Sequence, residues 1–252
     1  MQIGEKIEYF SDVSEIFHSG DDHIIKVYHQ NVPRKIPLRE LHNMVAACVL
    51  NLPVPRPDQL FEVNGRTGLR MQYINGYTLL EIMGKDPSTI EAAGAEMADH
   101  HVRIHSKSGQ GFPTYDLRYN AVLSEFADAN PAEGGEIRDL FNSMPGGTAL
   151  CHGDFHPANI MLDGSKSFVI DWLDANAGPI EADIARTLMI IDYGGGEKVD
   201  AQSRARLRGS YLSRYMDSCS AQPNDEHMKN WYKILVELQS YMKSVRSRDV
   251  TK

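Results

Sequence analysis

The segment that most constrains this chain is residues 149–171, a compact non-helical stretch set between sequences of helical pattern. Two apolar runs in it, Ile160–Leu162 and Phe168–Ile170, flank a polar turn, and this pattern predicts a β-hairpin. Pairing of the two runs brings Asn159, just before the first run, beside Asp171, just after the second. The sequence therefore predicts an amide oxygen and a carboxylate at one end of a hairpin.

These polar side chains suit phosphoryl transfer, which needs positioning and charge neutralisation more than covalent chemistry. Amide and carboxylate oxygens are ligands that Mg²⁺ prefers in proteins. We expect the loop carrying Asp154 to enter the same place, where a carboxylate can accept a proton from a hydroxyl group. The spacing His-x-Asp-x4-Asn followed by a later Asp is the catalytic-loop pattern of protein kinases. Gly153 stands where those kinases usually have arginine.

The first seventy-odd residues are predicted to be rich in β-structure. Ser14–His18 and His23–Tyr28 are apolar-rich runs around a polar turn, and Leu60–Val63 and Gly68–Tyr73 flank Asn64-Gly65, a strong hairpin signal. In the second run alternate residues point to opposite sides, so one face can pack while the other faces a cleft. A small antiparallel sheet is the expected result.

One helix interrupts these strands, and longer helices follow them. From Pro37 the pattern turns helical, because the apolar residues recur near one stripe at steps of three and four; they are Leu38, Leu41, Val45, Cys48 and Val49. Later helices are predicted at 88–105, 120–129, 135–144, 181–191, 200–218 and 225–247. In the first of these, Ser88 and Glu91 have the spacing of a capping box.

This order of elements predicts an α+β fold of the bilobal, protein-kinase-like type. A small β-rich N-lobe of residues 1–74 would be followed by a larger helical C-lobe of residues 75–252, with a hinge near 71–76.

Composition narrows the class of protein further. Of 252 residues, 42% are hydrophobic and 24% charged, which is ordinary for a soluble globular protein. No run approaches the roughly 18 apolar residues of a membrane helix, so no membrane partner is expected. The three cysteines are far apart, which favours a reducing cytoplasm. The net charge of −8 disfavours nucleic-acid binding. It fits attraction of a cationic substrate and equally fits simple solubility.

Several motifs together resemble the aminoglycoside phosphotransferase family, a group of kinase-like small-molecule phosphotransferases related to choline kinase. The motifs are His152-Gly153-Asp154-Phe155-His156-Pro157-Ala158-Asn159, Ile170-Asp171-Trp172 and Asp183-Ile184-Ala185. Features of the predicted N-lobe match in the same order, so the resemblance spans nearly the whole chain.

The resemblance implies that the N-lobe binds nucleotide and that the C-lobe provides catalysis and substrate binding. It also implies ATP and Mg²⁺ as cofactors and gives the matched residues their roles. Asp154 would be the catalytic base that orients the acceptor hydroxyl. Asn159 and Asp171 would bind the metal ion. Lys26 would hold the α- and β-phosphates of ATP, and Glu40 would pair with Lys26 from the helix.

Further nucleotide contacts and supporting residues are implied in the same way. The residues expected to receive adenine through their backbone are Gln72, Tyr73 and Ile74. The family's nucleotide-covering loop is often rich in glycine or serine, and here residues 9–14 contain no glycine. Ser11 and Ser14 are left as the expected phosphate contacts of that loop. His152 and Asp183 would tie the catalytic loop to the following helix.

A histidine pair raises a different hypothesis. His101 and His105 lie one helical turn apart, the spacing of a metal-binding pair. No third ligand follows at a suitable spacing, so we expect a surface or interlobe helix face instead.

The expected function is transfer of the ATP γ-phosphoryl group to a hydroxyl of a small molecule, such as an aminoglycoside, an amino alcohol or a sugar. One alternative is an atypical Ser/Thr protein kinase, which the missing arginine before Asp154 disfavours. A second alternative is a catalytically weak nucleotide-binding regulator, which the glycine-free loop leaves open.

Overall fold

The computed structural model describes residues 4–7, 13–194 and 199–249. The chain divides into two compact units by its internal contacts. The first unit comprises the chain up to Asp86 together with Pro157–Asp174, and the second comprises Pro87–His156 together with the chain from Ala175. The predicted hairpin therefore belongs to the first unit, although in sequence it lies far beyond residue 74. The lobes at 1–74 and 75–252 stay a prediction.

The described residues form the following strands and helices. The strands are β1 (Lys6–Ile7), β2 (Ser14–His18), β3 (His23–Tyr28), β4 (Pro57–Val63), β5 (Arg66–Gln72), β6 (Tyr77–Thr78), β7 (Ala149–Cys151), β8 (Ile160–Asp163), β9 (Lys166–Val169) and β10 (Asn176–Gly178). The helices are α1 (Lys35–Val49), α2 (Leu79–Lys85), α3 (Ile90–His105), α4 (Asp116–Ala129), α5 (Pro131–Ser143), α6 (Ile180–Tyr193), α7 (Ala201–Ser218) and α8 (Asp225–Asp249). None of the described helices combines the length and the apolar character that a membrane crossing requires.

The first unit is built on an antiparallel sheet with the strand order β1-β2-β3-β5-β4. Asn64 and Gly65 join β4 to β5 with positive φ angles of 50° and 75°, the conformation that a two-residue hairpin turn of this type requires. On one face of the sheet Ile25, Val27 and Val63 form a buried apolar cluster. The opposite face of β3 is consequently free to carry polar side chains.

Helix α1 forms where it was predicted, but its apolar stripe is largely exposed. Leu38, Val45 and Val49 are 48%, 46% and 75% exposed, while the buried face carries Glu40 and Asn43. The Nδ2 of Asn43 donates to the backbone carbonyl of Trp172 at 2.9 Å. Buried polar groups must be hydrogen-bonded, and their partners here lie far away in sequence. Those bonds, and not the apolar pattern, determine which side of the helix faces inward.

The predicted capping box is also displaced. Residues 87–89 form a short 3₁₀ turn, α3 begins at Ile90, and Thr89 makes no side-chain capping bond. A capping box occurs instead at the start of α2, where Thr78 and Glu81 satisfy each other's backbone N–H groups at 2.7 and 3.1 Å. The carboxylate of Glu91 pairs with Arg206 on α7.

The second unit is helical and contains a short antiparallel ladder of β7 and β10. Its apolar core lies among α4, α5, α6 and α8 and includes the fully buried Trp231. Helix α3 packs against α7 at Gly94, where an added Cβ would lie 2.8 Å from the Cβ of Ser210 and 2.9 Å from the backbone nitrogen of Tyr211. The two helix backbones therefore approach more closely at this point than a larger side chain would allow.

We predict opposite effects for two glycine substitutions in this helix pair. Gly94→Ala should lower the free energy of unfolding by about 1–3 kcal/mol, because the new methyl group overpacks the contact. Gly209→Ala, in the middle of the exposed face of α7 with no atom within 4 Å of its added Cβ, should raise it by roughly 0.5–1 kcal/mol. Urea unfolding of both variants beside the parent measures the difference. Equal effects of the same sign would contradict the close approach at Gly94.

Candidate active site

A cavity of about 380 Å³ lies in the first unit and is lined by its sheet, α1 and the β8–β9 hairpin. Its lining includes many of the residues predicted to hold the nucleotide. Those residues are Lys26, Glu40, Gln72, Tyr73, Ile74 and Asp171. The apolar lining includes Ile16, Ile24, Met71 and Met161, which form surfaces on which a flat ring can pack.

A buried ionic cluster stands at one side of this cavity. The Nζ of Lys26 lies 2.8 Å from Oε1 of Glu40 and 3.4 Å from Oδ1 of Asp171. Lys26 is 5% exposed and Glu40 is 2% exposed. Strand alternation sends Ile25 and Val27 to the apolar cluster and Lys26 to the cavity. Burial makes this pairing strong, because water screens it little.

Tyr28 belongs to the same cluster, and the sequence analysis did not identify it. Its hydroxyl donates to Oε2 of Glu40. Burial, followed by the negative charge of Glu40, raises the pKa of Tyr28 well above its usual range, so the phenol keeps its proton. Strand alternation could have found it, since Tyr28 lies two residues after Lys26 on the same face. Burial likewise raises the pKa of Glu40, and the charge of Lys26 opposes that rise.

The β8–β9 hairpin forms as predicted, with Ile160 opposite Val169. The N–H of Ile170 donates to the carbonyl of Asn159 at 2.9 Å, so the residues flanking the two strands are adjacent. Asp171 has a φ angle of 60°, a left-handed conformation that costs a non-glycine residue energy and occurs often at functional sites. Asp171 lines the cavity, whereas Asn159 is buried and is not among the lining residues. A carboxylate and an amide are a donor set that fits a hard divalent cation.

The segment after β5 offers one backbone donor to a ligand. The N–H of Tyr73 donates to the carbonyl of Asp22 at 2.9 Å, and that of Gln72 to the carbonyl of Arg56 at 2.8 Å. The N–H of Ile74 has no acceptor in the part of the chain that the structure describes. Gly76 also lines the cavity, and its backbone packs closely against β8. A Cβ at this position would lie 1.8 Å from the carbonyl oxygen of Leu162.

Of the two serines in the predicted phosphate-covering loop, the structure describes only Ser14. Ser11 lies outside the described residues. Ser14 begins β2 opposite Tyr28 and is buried, and it is not among the residues that line the cavity. The phosphate-contact role of both serines stays a prediction.

In the second unit, Asp154 lies on the loop that follows β7. Oδ1 of Asp154 is 3.0 Å from the Nη2 atom of Arg186, and Oδ2 is 3.5 Å from Nε2 of His156. Burial opposes ionisation of this carboxyl, but the hydrogen bond from His156 and the charge of Arg186 outweigh it and hold the pKa of Asp154 below its usual range. Asp154 is therefore a carboxylate at neutral pH.

Asp183, from the first turn of α6, holds the backbone of this loop. Its Oδ2 accepts from the N–H of His152 at 2.7 Å, and its Oδ1 accepts from the N–H of Gly153 at 2.9 Å. Gly153 has a φ angle of 77°, which glycine adopts without the penalty that a side chain brings. The local conformation thus explains why glycine precedes Asp154.

His101 and His105 are buried against Asp183, so they do not lie on an exposed helix face. Their Nε2 atoms lie 3.0 and 3.2 Å from Oδ2 of Asp183. Their Nδ1 atoms lie 2.7 and 2.6 Å from the hydroxyls of Tyr211 and Tyr215 on α7. The third ligand that the sequence did not reveal is Asp183, 78 residues beyond His105.

These three side chains could in principle hold a metal ion, since their ligand atoms all lie within 4.8 Å of one another. A hydrogen-bond network explains the same geometry. Burial and the neighbouring His105 lower the pKa of His101 to about 3, so His101 is neutral. A neutral ring donates from Nε2–H to Asp183 and accepts at Nδ1 from Tyr211. Because each polar atom already has a complementary partner, we assign the cluster to positioning of the catalytic loop.

Comparison with known proteins places the chain among phosphotransferases. A model of the phosphotransferase enzyme family matches residues 16–221. The chain belongs to this family. No curated protein matches the chain by sequence. The match spans both compact units, and it confirms the resemblance that the loop motifs suggested.

Solved structures confirm the kinase-like fold, with an antiparallel sheet in the N-terminal region and helices in the C-terminal region. An aminoglycoside-3'-phosphotransferase of type VIII is 16% identical, with 93% of each chain covered and a TM-score of 0.68. An amicoumacin kinase is 13% identical, with 92% of this chain and 78% of that chain covered and a TM-score of 0.66. A choline/ethanolamine kinase family protein from Mesorhizobium loti is 15% identical, with 98% and 81% covered and a TM-score of 0.62.

We predict that Asp183→Asn destabilises the protein by roughly 3–5 kcal/mol, because an amide nitrogen would face the N–H donors of the loop and of the histidines. Asp99→Asn is the matched control, since Asp99 pairs with Arg214 on the exposed surface and such pairs contribute about 0–1 kcal/mol. Urea unfolding gives both values. If the two variants lost equal stability, Asp183 would not be the anchor of the loop.

Proposed function

We propose that this chain transfers the γ-phosphoryl group of ATP, with Mg²⁺, to a hydroxyl group of a small molecule. The observation that carries the proposal is the buried cluster of Lys26, Glu40 and Asp171 at a cavity of nucleotide size, in a member of the phosphotransferase enzyme family. A lysine and a carboxylate facing one cavity suit a phosphate group and its metal ion.

The nucleotide has complementary partners around the cavity. Lys26 would bind the α- and β-phosphates while Glu40 and Tyr28 keep its ammonium group in place. Adenine would pack between the apolar walls and accept a hydrogen bond from the N–H of Ile74, with Gln72 and Tyr73 beside it. The amicoumacin kinase was crystallised with AMP-PNP, and an aminoglycoside phosphotransferase from Streptomyces rimosus was crystallised with ADP and streptomycin. Both support a nucleotide here.

Mg²⁺ would be held by Asp171 and Asn159, whose carboxylate and amide fit its preference for oxygen. When bound, the ion neutralises charge on the phosphates. Before binding, the described cluster contains two carboxylates and one ammonium group, an excess of negative charge that a cation compensates.

Asp154 would orient the acceptor hydroxyl. Its low pKa makes it a weak base, so its main contribution is to fix the hydroxyl oxygen on the line of attack and to take the proton late. In a loose phosphoryl-transfer transition state the bond from the attacking oxygen to phosphorus is little formed. The hydroxyl proton therefore needs little removal by the base before that bond forms. A weak but well-placed carboxylate is sufficient for that task.

The acceptor we propose is a small molecule that carries hydroxyl groups, of the aminoglycoside, amino-alcohol or sugar class. Solved relatives were crystallised with hygromycin B and streptomycin. The net charge of −8 favours an acceptor that bears amino groups. The cysteines Cys48, Cys151 and Cys219 are free, which supports a reducing, ATP-containing compartment such as the cytoplasm.

The test is ADP formation with MgATP and a panel of aminoglycosides, amino alcohols, sugars and a generic protein substrate. Stimulation by a small hydroxyl compound, with phosphate transferred to that compound, is the expected result. Phosphorylation of the protein substrate alone would favour a protein kinase. ATP binding without ADP formation under any condition would favour a nucleotide-binding regulator.

We predict that Lys26→Ala weakens ATP binding. A hydrogen bond to a charged group is worth roughly 1.5–3 kcal/mol, which corresponds to about a 10- to 150-fold rise in Kd. Isothermal titration with AMP-PNP and Mg²⁺ measures it. Because the single change leaves Glu40 buried without its cation, the double variant Lys26→Ala/Glu40→Gln separates loss of stability from loss of affinity. Lys166→Ala, at the exposed first residue of β9, is the control. Unchanged Kd in both Lys26 variants would remove Lys26 from the site.

We predict that Asp154→Asn lowers the rate of phosphoryl transfer by about 10²–10⁴. Asparagine keeps the size and one acceptor oxygen but cannot take the proton. AMP-PNP affinity and the melting temperature should stay close to those of the parent, since Lys26, Asp171 and the residues at 72–74 hold the nucleotide. Single-turnover transfer to the acceptor found in the panel is the measurement, and full activity in this variant would refute the catalytic role.

A further inference from the structure

Helix α6 presents two opposite charges to the loop that carries Asp154. Asp183 and Arg186 are three residues apart, so both side chains point to the same side of the helix. Asp183 accepts from the loop's N–H groups, as described above. Arg186 does the reverse, since its Nε donates to the carbonyl of Gly153 and its Nη2 donates to Oδ1 of Asp154. The loop's donors and acceptors are thus satisfied by one turn of one helix.

From this arrangement we propose that Arg186 is a positioning residue for Asp154 in phosphoryl transfer. The proposal rests on the catalytic role of Asp154 proposed above. Arg186 is not among the residues that line the nucleotide cavity, and in this proposal it acts through the Asp154 carboxylate. Its action is on the direction in which the Asp154 carboxylate faces and on the proton affinity of that carboxylate.

The geometry favours an orienting bond over a loose surface ion pair. The Arg186 side chain is 16% exposed, and its planar guanidinium engages a backbone carbonyl and a carboxylate together. Two anchoring points fix the plane of the fork, which lysine, a point charge on a flexible stem, cannot reproduce. The bond to Arg186 uses Oδ1 and turns Oδ2 toward His156, 3.5 Å away. Rotation of the carboxylate is therefore opposed from both sides.

The sequence differs from the kinase pattern at the residue before Asp154. Protein kinases usually have arginine there, whereas that position here is Gly153. The guanidinium group that contacts Asp154 comes from 32 residues beyond it in the same chain.

The electrostatic consequence has a definite sign. The positive charge of Arg186 is one of the causes that hold the pKa of Asp154 below its usual range. The ionised form is the active one, so Asp154 should stay active well into the acid range in the parent. Removing the guanidinium raises the pKa of Asp154, and the loss of activity on acidification then begins at a higher pH. An opposite charge at this distance typically changes a pKa by about one to three units.

The experiment compares Arg186→Gln, Arg186→Lys and Arg206→Gln with the parent. Arg206 pairs with Glu91 on the exposed face of α7 and serves as the matched control. Single-turnover conversion of MgATP is followed across pH with the best acceptor of the panel, or with water where no compound exceeds it. In parallel, ¹³C-carboxyl NMR follows the titration of Asp154, assigned by its absence in Asp154→Asn.

We expect Arg186→Gln to lower the transfer rate by about tenfold to a hundredfold, the cost of a misplaced reacting group, with AMP-PNP affinity unchanged. The Asp154 carboxyl should titrate at higher pH than in the parent. Arg186→Lys should restore much of the titration midpoint, because it keeps the charge, but little of the rate. Arg206→Gln should resemble the parent in every readout.

A rate within twofold of the parent, together with an unchanged Asp154 titration in Arg186→Gln, would overturn the proposal. Unfolding of both Arg186 variants would do so as well, because it would make Arg186 a structural residue. Asp154→Asn separates this failure from failure of the proposed function. Full transfer in Asp154→Asn removes the catalytic role of Asp154 itself, whereas loss in Asp154→Asn with normal transfer in Arg186→Gln removes only the role of Arg186.

Discussion

The buried carboxylate of Asp183 is the interaction on which the catalytic segment depends. Burial of a charge without partners is costly, and a single ion pair often fails to offset that cost. Asp183 receives hydrogen bonds from the N–H groups of His152 and Gly153 and from the rings of His101 and His105. Four donors around two oxygens keep the carboxylate ionised, and its pKa stays well below the usual range although burial opposes this. The loop is consequently held by its backbone, independently of the side chains that it presents.

The first unit uses buried charge in a different way. The carboxylates of Glu40 and Asp171 face one ammonium group, that of Lys26, so the cluster has an excess of negative charge. The hydroxyl of Tyr28 stabilises Glu40 without adding a positive charge. Asp171 therefore differs from Asp183: Asp183 has four hydrogen-bond donors, whereas the ion-pair partner of the Asp171 carboxylate is Lys26, 3.4 Å away.

The sequence predicted correctly the elements that depend on interactions between residues close in the chain, and it failed where the interacting residues are distant in the chain. Strands β2 and β3, the Asn64-Gly65 turn and the β8–β9 hairpin were predicted correctly, because short-range alternation and turn chemistry determine them. The inward face of α1 was not, because Glu40 and Asn43 are drawn inward by distant polar partners. The ring partners of His105 were missed for the same reason. Periodicity records which residues are apolar, whereas these contacts depend on which polar groups meet after folding.

The backbone conformation of Gly153 determines how the loop contacts two residues of α6, Asp183 and Arg186. With φ at 77°, the residue before Asp154 places its N–H on Asp183 and its carbonyl on Arg186. The left-handed conformation costs a residue with a Cβ atom conformational energy, so arginine at this position would be less stable than glycine. The guanidinium group that contacts Asp154 comes from α6. An acid and an arginine at positions i and i+3 of α6 provide the anchor and the cation together, so the sequence Asp183-Ile184-Ala185-Arg186 is the chemical complement of His152-Gly153-Asp154.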